Sequence, residues 1–514
     1  MVFCCATLVL AAASDPRDDQ GARYPDQVQR SVKDVVLAVA RNQLHSLSDG
    51  KYKQGSWDEV KNIQGTTGVA WNYPWGVTLY GLMRTTAVLG DTIFSSFVFR
   101  HNEIAARFFV YLKWMEKTFS SAHQTELSSL FNRASLVELM KLDRLDYCGA
   151  MGSQLLEGLL FPNGKATVEE ESLLAFVADY IVNKQSRLPD GTFWRPEAGQ
   201  TLWIDDLYMS CPFLVRWYRY TGDLRYLNDA ASQVIQMARR QQDTDGLWYH
   251  GNFIAQGKTS PYKWGRGNGW AMVATVEVLS AMPENHPSRQ DVLEILRRHI
   301  NGAVPLQTPS GLWRQVLDHP ELWEETSCSA MFAYSIARAV RRGWISSAYL
   351  EIVRKAFEGV SNNVTTDGRV NGTCEGTGIG TDLNFYINRR RPANDPHGIG
   401  PVLLAGSEII ETETGIHSGI RTASFTLEQN FPNPFNPETQ IEYSLTERGS
   451  AALKIFNALG QEVKTLVDDV KEPGTYSVSW DGTDSMGHPV PSGQYVYRVS
   501  QESQFTSKKA ILVR

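Results

Sequence analysis

Residues 224–242, LRYLNDAASQVIQMARRQQ, and residues 268–282, NGWAMVATVEVLSAM, contain the pattern that decides the fold. The first segment places its charged side chains on one face of a helix, whereas the second is apolar and small almost all round. A helix that is apolar on every side is buried by its neighbours, and an amphipathic helix borders on water. The two segments therefore predict an outer helix followed by an inner helix.

The same alternation runs along most of the chain. Outer helices are predicted over 29–47, 102–122, 168–185, 224–242, 288–304 and 346–364, and inner helices over 75–90, 148–161, 205–222, 268–282, 329–345 and 400–411. Segment 133–142 is an extra helical turn outside this count. Strict alternation of six outer and six inner helices predicts an all-α (α/α)6 barrel over residues 28–412.

Each predicted inner helix is preceded by a loop rich in glycine, aromatic and polar residues. These loops cover 71–76, 145–149, 203–206, 264–270, 324–327 and 395–398. Because the inner helices of such a barrel run parallel, we expect all six loops at one end. Converging polar and aromatic loops on a rigid scaffold are typical of an active site.

Composition and motifs narrow the chemistry of that site. The net charge of −6 argues against a nucleic-acid-binding protein, and the 14 Trp and 20 Tyr suit a carbohydrate cleft. The sequence contains no P-loop, no HExxH, no GxSxG elbow with a triad and no metal-ligand spacing, so neither a metal nor a cofactor is expected. The remaining candidates are carboxylates, a histidine, an arginine and many aromatic residues. These are the residue types that form glycosidase active sites.

The two ends of the chain carry different signals. Residues 1–14, MVFCCATLVLAAAS, are too short to span a bilayer, and we expect a secretory signal peptide whose basic n-region is missing, so that the start is truncated or misassigned. A disordered N-terminus is the alternative, and no other apolar run is long enough for a membrane span.

A polar linker over 413–421 precedes residues 422–514, where the period-2 segments IEYSL, ALKIFN, YSVSW and YVYRVS predict a small all-β sandwich.

Motifs in the predicted barrel resemble glycoside hydrolase family 105, the unsaturated rhamnogalacturonyl hydrolases, which are related to the family 88 unsaturated glucuronyl hydrolases. The matching segments are LDYCGAMG, WIDDLYMSCPF, GLWYHG, WGRGNGW, the E-T-S-x-S-A run at 325–330 and HGIGPVLLAGSE. The resemblance implies an (α/α)6 barrel that hydrates the C4=C5 bond of a Δ4,5-unsaturated uronic acid at the non-reducing end of a lyase-generated oligosaccharide. The sugar would leave as a 4-deoxy-5-keto uronate.

Other activities stay open on the same residues. One alternative is an unsaturated glucuronyl hydrolase for ulvan or glycosaminoglycan fragments. Another is a non-catalytic sugar-binding protein at the cell surface, and a third is a conventional glycosidase or an epimerase. Retention of an acid pair disfavours simple binding, which requires no acid.

The resemblance assigns the chemistry to carboxylates. Asp205 in WIDDLYM matches the family's catalytic acid/base, and Asp146 in LDYCG matches its second essential carboxylate. Asp206 stands where the family commonly has a small residue, so it is the alternative acid. Tyr147 stands where a second Asp is frequent. A structural alternative for Asp205 and Asp146 is capping of a helix N-terminus.

Further side chains are candidates for substrate binding. By the resemblance, His250 contacts the sugar, and the WGRGNGW segment contributes Trp264, Arg266 and Trp270. Arg266 is expected to face the substrate carboxylate, because a guanidinium matches that group bidentately. The loops before the inner helices add Tyr73, Trp203 and His397, each of which could equally be structural.

The C-terminal region also resembles a known type of domain. Its segments NFPNPFNP at 430–437, LKIFNALGQEV and SWDGTD followed by VPSGQYVYRV resemble the sorting domains of type IX secretion system cargo. That resemblance implies a partnership with the secretion machinery and a secreted or cell-surface location. A carbohydrate-binding module is the weaker reading, because the prominent Trp480 lies inside the sorting motif.

Overall fold

The computed structural model describes residues 30–414, except 64, 134–135, 163 and 197–198, and residues 425–514, except 446–447, 458–460 and 502–503. The predicted signal peptide and most of the predicted linker over 413–421 lie outside the described residues.

Helices dominate the first part of the chain. The outer helices are α1 (Val32–Asn42), α4 (Thr92–Arg133, with a non-helical break at His123), α7 (Val168–Asp179), α9 (Leu224–Gln241), α11 (Arg289–Ala303) and α13 (Leu350–Asn362). The inner helices are α3 (Tyr73–Leu89), α6 (Gly149–Leu160), α8 (Asp206–Thr221), α10 (Gly265–Ala281), α12 (Thr326–Arg341) and α15 (Pro396–Thr414). Short helices are α2 (Trp57–Val60), α5 (Val137–Met140) and α14 (Leu383–Ile387).

The inner helices form a closed ring. Each packs against the next along the chain, and α15 packs against α3. Each inner helix also packs against the outer helix that follows it, with α1 covering α15. The predicted (α/α)6 barrel is confirmed.

Burial explains why the helices alternate. Every residue of α10 from Gly265 to Leu279 is buried, whereas α9 buries only the spaced positions of one face, including Leu227, Val234 and Met237. An all-round apolar helix needs neighbours on every side, and only the inner ring supplies them.

Short strands connect the loops at one end of the barrel. β1 (Thr201–Trp203) pairs antiparallel with β2 (Gly251–Phe253), which pairs with β3 (Lys258–Thr259), and β4 (Trp313–Arg314) pairs with β5 (Glu324–Glu325). Strands of two or three residues are too short to show a period in the sequence. They place the loop before α8 beside the loop before α10.

The C-terminal part is built from two antiparallel sheets, as predicted. The strands are β6 (Phe425–Leu427), β7 (Thr439–Leu445), β8 (Gly449–Phe456), β9 (Glu462–Lys471), β10 (Gly474–Trp480), β11 (Gly493–Gln501) and β12 (Gln504–Leu512). One sheet has the order β10–β7–β6 and the other β12–β11–β8–β9. Their core contains Trp480, fully buried, whose Nε1 donates to the Thr483 carbonyl.

Within the described residues, none of the helices combines the length and the apolar character that a bilayer crossing demands.

Candidate active site

The N-terminal ends of the inner helices meet at one end of the barrel. The Tyr73 hydroxyl, at the start of α3, lies 2.6 Å from His397 Nε2, near the start of α15. Arg266 at the start of α10 reaches the Ser327 hydroxyl of α12, 3.5 Å away. We call this end, formed by residues 71–76, 145–149, 203–206, 264–270, 324–327 and 395–398, the mouth.

Asp205 lies in the mouth directly after β1, and it is the residue before the first turn of α8. Its main-chain carbonyl accepts hydrogen bonds from Tyr208 and Met209, so the backbone of the turn is fixed. The side chain points to His250, with 3.4 Å between Asp205 Oδ2 and His250 Nε2. Both atoms are buried, and neither has a hydrogen-bond partner within the described protein. Buried polar atoms are normally paired, so this pair of atoms is available to a ligand.

His250 is oriented from its other ring nitrogen. Its Nδ1 lies 2.7 Å from the Tyr386 hydroxyl, whose oxygen accepts a hydrogen bond from the Gly380 amide at 3.0 Å. We therefore assign the Tyr386 hydrogen to Nδ1 and the ring proton to Nε2, which faces Asp205. The Trp264 ring lies 4.4 Å from the imidazole, centroid to centroid, and fixes its plane.

Tyr386 was not expected from the sequence. It belongs to α14, in the long connection between α13 and α15. The only signal there is an aromatic pair at 385–386, which is not specific for any site.

Arg195 bridges two further carboxylates of the mouth, those of Asp146 and Asp206. Its Nη1 and Nη2 donate to the two oxygens of Asp146, each at 2.8 Å, and its Nε donates to Asp206 at 3.0 Å. The guanidinium carbon lies 4.4 Å from the centre of the Trp203 ring, which covers one face. Sequence reasoning missed Arg195, because an isolated arginine ten residues before the Asp pair carries no motif.

Asp206 is committed to this ion pair. Burial raises the pKa of its carboxyl to about 6, while the Arg195 guanidinium opposes the rise. Of the neighbouring pair, Asp205 has the free oxygen and Asp206 does not.

A second hydrogen-bonded chain crosses the mouth through His397. Its Nε2 faces the Tyr73 hydroxyl, and its Nδ1 lies 2.6 Å from Asp395 Oδ1. Burial and the nearby Arg266 guanidinium lower the pKa of His397, so the imidazole is neutral at pH 7. Tyr73 remains partly exposed and is the member of this chain that a ligand can touch.

Two expected binding residues are buried beneath the mouth. Arg266 is fully buried and donates to the carbonyls of Cys374 at 2.6 Å and Glu375 at 2.8 Å, while its Nε has no hydrogen-bond partner among the described residues. Its contact with a substrate carboxylate stays a prediction. Trp270 is 2% exposed and packs 4.5 Å from Tyr208 in the barrel core. Both residues therefore support the mouth from the buried layer beneath it.

Comparison with known proteins identifies two regions. The model of Glycosyl Hydrolase Family 88 matches residues 50–413, and the model of the FlgD Ig-like domain matches residues 436–504. A 24.9 kDa protein of the picA locus of Rhizobium radiobacter is 31% identical over 229 residues, which are 39% of this chain and 97% of that protein. The unsaturated rhamnogalacturonyl hydrolase YesR of Bacillus subtilis is 29% identical over 251 residues, which are 47% of this chain and 71% of YesR.

Solved structures share the barrel. A possible member of family GH105 from Klebsiella pneumoniae superimposes with a TM-score of 0.58 at 22% identity, covering 80% of this chain and all of that one. A family 105 glycoside hydrolase from C. acetobutylicum gives a TM-score of 0.53 at 24% identity, covering 67% of this chain and 94% of that one. At these identities the superpositions establish the fold.

Proposed function

Because the chain belongs to Glycosyl Hydrolase Family 88 and is a glycoside hydrolase of the unsaturated uronyl hydrolase type, we propose that Asp205 is the acid that hydrates the C4=C5 bond of its substrate. One observation carries this assignment. The buried Oδ2 of Asp205 has no hydrogen-bond partner and faces the equally unpartnered Nε2 of His250. A proton donor must reach the reacting atom, and this carboxyl is the one that the mouth leaves free.

The reaction balances with a single carboxyl. Asp205 gives its proton to C4, and water adds its oxygen to C5 while returning a proton to the carboxylate. The product is a hemiketal at C5, which opens and releases the sugar as a 4-deoxy-5-keto uronate. His250 holds the sugar or the water beside Asp205, and the partly exposed Asp146 accepts a hydrogen bond from either.

We propose an unsaturated rhamnogalacturonyl substrate. The named activity of YesR supports this choice, as does an aromatic mouth in which Trp203 and Tyr73 remain partly exposed. Aromatic faces of this kind pack against sugar rings. Unsaturated glucuronyl disaccharides are the comparison substrates.

The test follows the loss of far-ultraviolet absorbance of the C4=C5 bond. We expect Asp205→Asn to lower kcat about 10²- to 10⁴-fold, the range for loss of a general acid. Asp206→Asn weakens only the contact to Arg195 and should cost about tenfold, the equivalent of one hydrogen bond. A larger loss in Asp206→Asn than in Asp205→Asn would move the acid to Asp206. No absorbance loss with any Δ4,5 substrate would reject the activity and leave sugar binding.

We further propose that residues 422–514 direct the enzyme out of the cell through a type IX secretion system. The NFPNPFNP and GQYVYRV motifs support this, and the match to an Ig-like domain agrees with a compact sandwich. In a host with that system, removal of residues 422–514 should retain the enzyme in the periplasm, whereas the full chain reaches the surface or medium. Equal export of both forms would reject the proposal.

A further inference from the structure

We propose that Arg195 is a positioning residue of this site: anchored by Asp206, it fixes the Asp146 carboxylate at the mouth. Asp206 then acts through Arg195 and does not itself transfer a proton. The inference rests on the proposed function, since it assigns Asp146 to the same reaction.

The hydrogen bonds around Arg195 have the geometry of a clamp. One edge of the guanidinium, Nη1 and Nη2, faces both oxygens of Asp146 at 2.8 Å. The other edge, Nε and Nη2, faces Asp206 at 3.0 and 2.6 Å. Bidentate contact on two edges fixes both carboxylates relative to one planar group. A lysine at this position would offer a point charge without the two edges.

Exposure falls steadily from the mouth to the interior of the clamp. The Asp146 side chain is 22% exposed, that of Arg195 is 4% exposed and that of Asp206 is 1% exposed. Asp206 is therefore the buried anchor, and Asp146 is the end that a substrate can reach. Trp203 closes one face of the guanidinium, which leaves Arg195 little freedom to rotate.

Backbone hydrogen bonds join the clamp to the strand that precedes the acid. The amide of Arg195 donates to the Thr201 carbonyl at 2.9 Å, and the Thr201 amide donates back at 3.2 Å. Thr201 begins β1, which leads directly to Asp205. Asp146 lies in the separate turn before α6, and the Arg195 side chain joins that turn to the segment that leads to the acid.

The clamp has a kinetic consequence. Without Arg195 the Asp146 carboxylate can turn away from the sugar or water that it orients. A misplacement of about 1 Å in an orienting group can cost about 10²-fold in rate. We therefore expect Arg195→Lys to lower kcat about 100-fold while KM changes less than about threefold.

Arg187 supplies a matched control. It makes a bidentate pair with Asp229 at 3.0 and 2.7 Å and lies 4.0 Å over the Phe193 ring, so it repeats the chemistry of Arg195 outside the mouth. Arg187→Lys should keep wild-type kcat. A comparable kcat loss in both variants would show a general structural effect and overturn the proposal.

A double-mutant cycle tests the route through Asp146. If Arg195 acts through that carboxylate, adding Arg195→Lys to Asp146→Asn costs little beyond the larger single loss, because coupled residues are not additive. If the kcat losses of the two single variants multiply in the double variant, Arg195 acts independently of Asp146, which overturns the proposal. Chemical rescue provides a second arm: methylguanidinium should restore kcat in Arg195→Ala and should leave Arg187→Ala unchanged.

Folding failures and a wrong function are separable outcomes. If Arg195→Ala does not fold because two carboxylates lose their partner, the test uses Arg195→Lys, which keeps a positive charge beside both carboxylates, and its kcat loss decides the point. Absence of rescue in a folded variant rejects the clamp. Wild-type enzyme that consumes no Δ4,5 substrate rejects the proposed function, whereas an active wild type with an unaffected Arg195→Lys rejects the clamp alone.

Discussion

At the scale of single residues, the orientation of His250 depends on a hydroxyl that no motif indicated. Tyr386 contacts Nδ1 at 2.7 Å and so sets which ring nitrogen presents a proton to Asp205. Tyr386→Phe removes this hydrogen bond with little change in shape. We expect kcat to fall about tenfold, the equivalent of one net hydrogen bond, with the barrel still folded. Steady-state kinetics and circular dichroism provide the measurement.

The control for that change lies in the same aromatic cluster. The Tyr262 ring packs 5.4 Å from Tyr386, and Tyr262→Phe removes a hydroxyl that takes no part in orienting His250. Its kcat should match the wild type. Equal losses in both variants would show that the cluster matters for packing and would contradict the proposed orientation of His250.

Sequence predicted only the residues of this site that lie in recognisable motifs. Asp205, Asp146 and His250 lie in the segments WIDDLYM, LDYCG and GLWYHG, which carry the resemblance to a known family. Arg195 and Tyr386 lie in connections without a clear period, and contacts with residues distant in the sequence place them beside the mouth. The surroundings of Arg266 were not predictable either, because a sequence does not show that backbone carbonyls accept hydrogen bonds from both terminal nitrogens of its guanidinium.

At the scale of helices, the alternation of outer and inner segments was sufficient to predict the barrel, since burial follows directly from composition. Close helix contacts were not predictable in the same way. At Gly149, which begins α6, a Cβ atom would lie 1.6 Å from the Met209 carbonyl oxygen of α8. At Gly158 in the same helix, the nearest atom would be 3.5 Å away.

The two glycines of α6 should therefore respond oppositely to alanine. Gly149→Ala forces α6 away from the backbone of α8, and we expect a loss of about 1–3 kcal/mol or more in the free energy of unfolding. Gly158→Ala should be neutral or stabilising by up to about 1 kcal/mol, since alanine favours a helix interior. Denaturant unfolding of both variants decides the point. A Gly149→Ala protein as stable as wild type would show that the two helices separate freely.

At the scale of the whole barrel, the end opposite the mouth is held by buried charges. Each inner helix contributes a buried charged residue toward its C-terminal end, and the sign of these six residues alternates around the ring: Arg84, Glu157, Arg216, Glu277, Arg338 and Glu408. Arg216 contacts Glu157 at 2.6 Å and Glu277 at 3.0 Å, and Arg338 contacts Glu277 and Glu408. Arg84 contacts Glu408 at 3.4 Å. Five contacts thus join the six inner helices. No local pattern in the sequence reveals these contacts.

This ring predicts how the barrel responds to acid. Burial alone would raise the pKa of Glu277, but Arg216 and Arg338 overcome it and lower the pKa from 4.5 to about 2, and the pKa of Glu408 falls to about 2 in the same way. A carboxyl whose pKa is lower in the folded state stabilises fully above its unfolded pKa and loses that contribution as pH falls toward the folded value. The ring should therefore contribute its full share of the free energy of unfolding at neutral pH, and this contribution should decrease between about pH 4.5 and 2.

Glu277→Gln isolates the contribution of the ring to acid stability. At pH 7 it leaves two buried arginines short of a partner, and we expect a loss of about 3–5 kcal/mol in the free energy of unfolding. That deficit should shrink as pH falls from about 4.5 toward 2, because the wild-type carboxyl is then protonated in the unfolded chain and loses the advantage of its low folded pKa of about 2. Glu284→Gln is the control, since the Glu284 side chain is 90% exposed and its pair with Arg289 lies at the surface. Thermal unfolding from pH 7 to 2 measures the difference, and a Glu277→Gln deficit that stays constant over this range would contradict an ionised, stabilising ring.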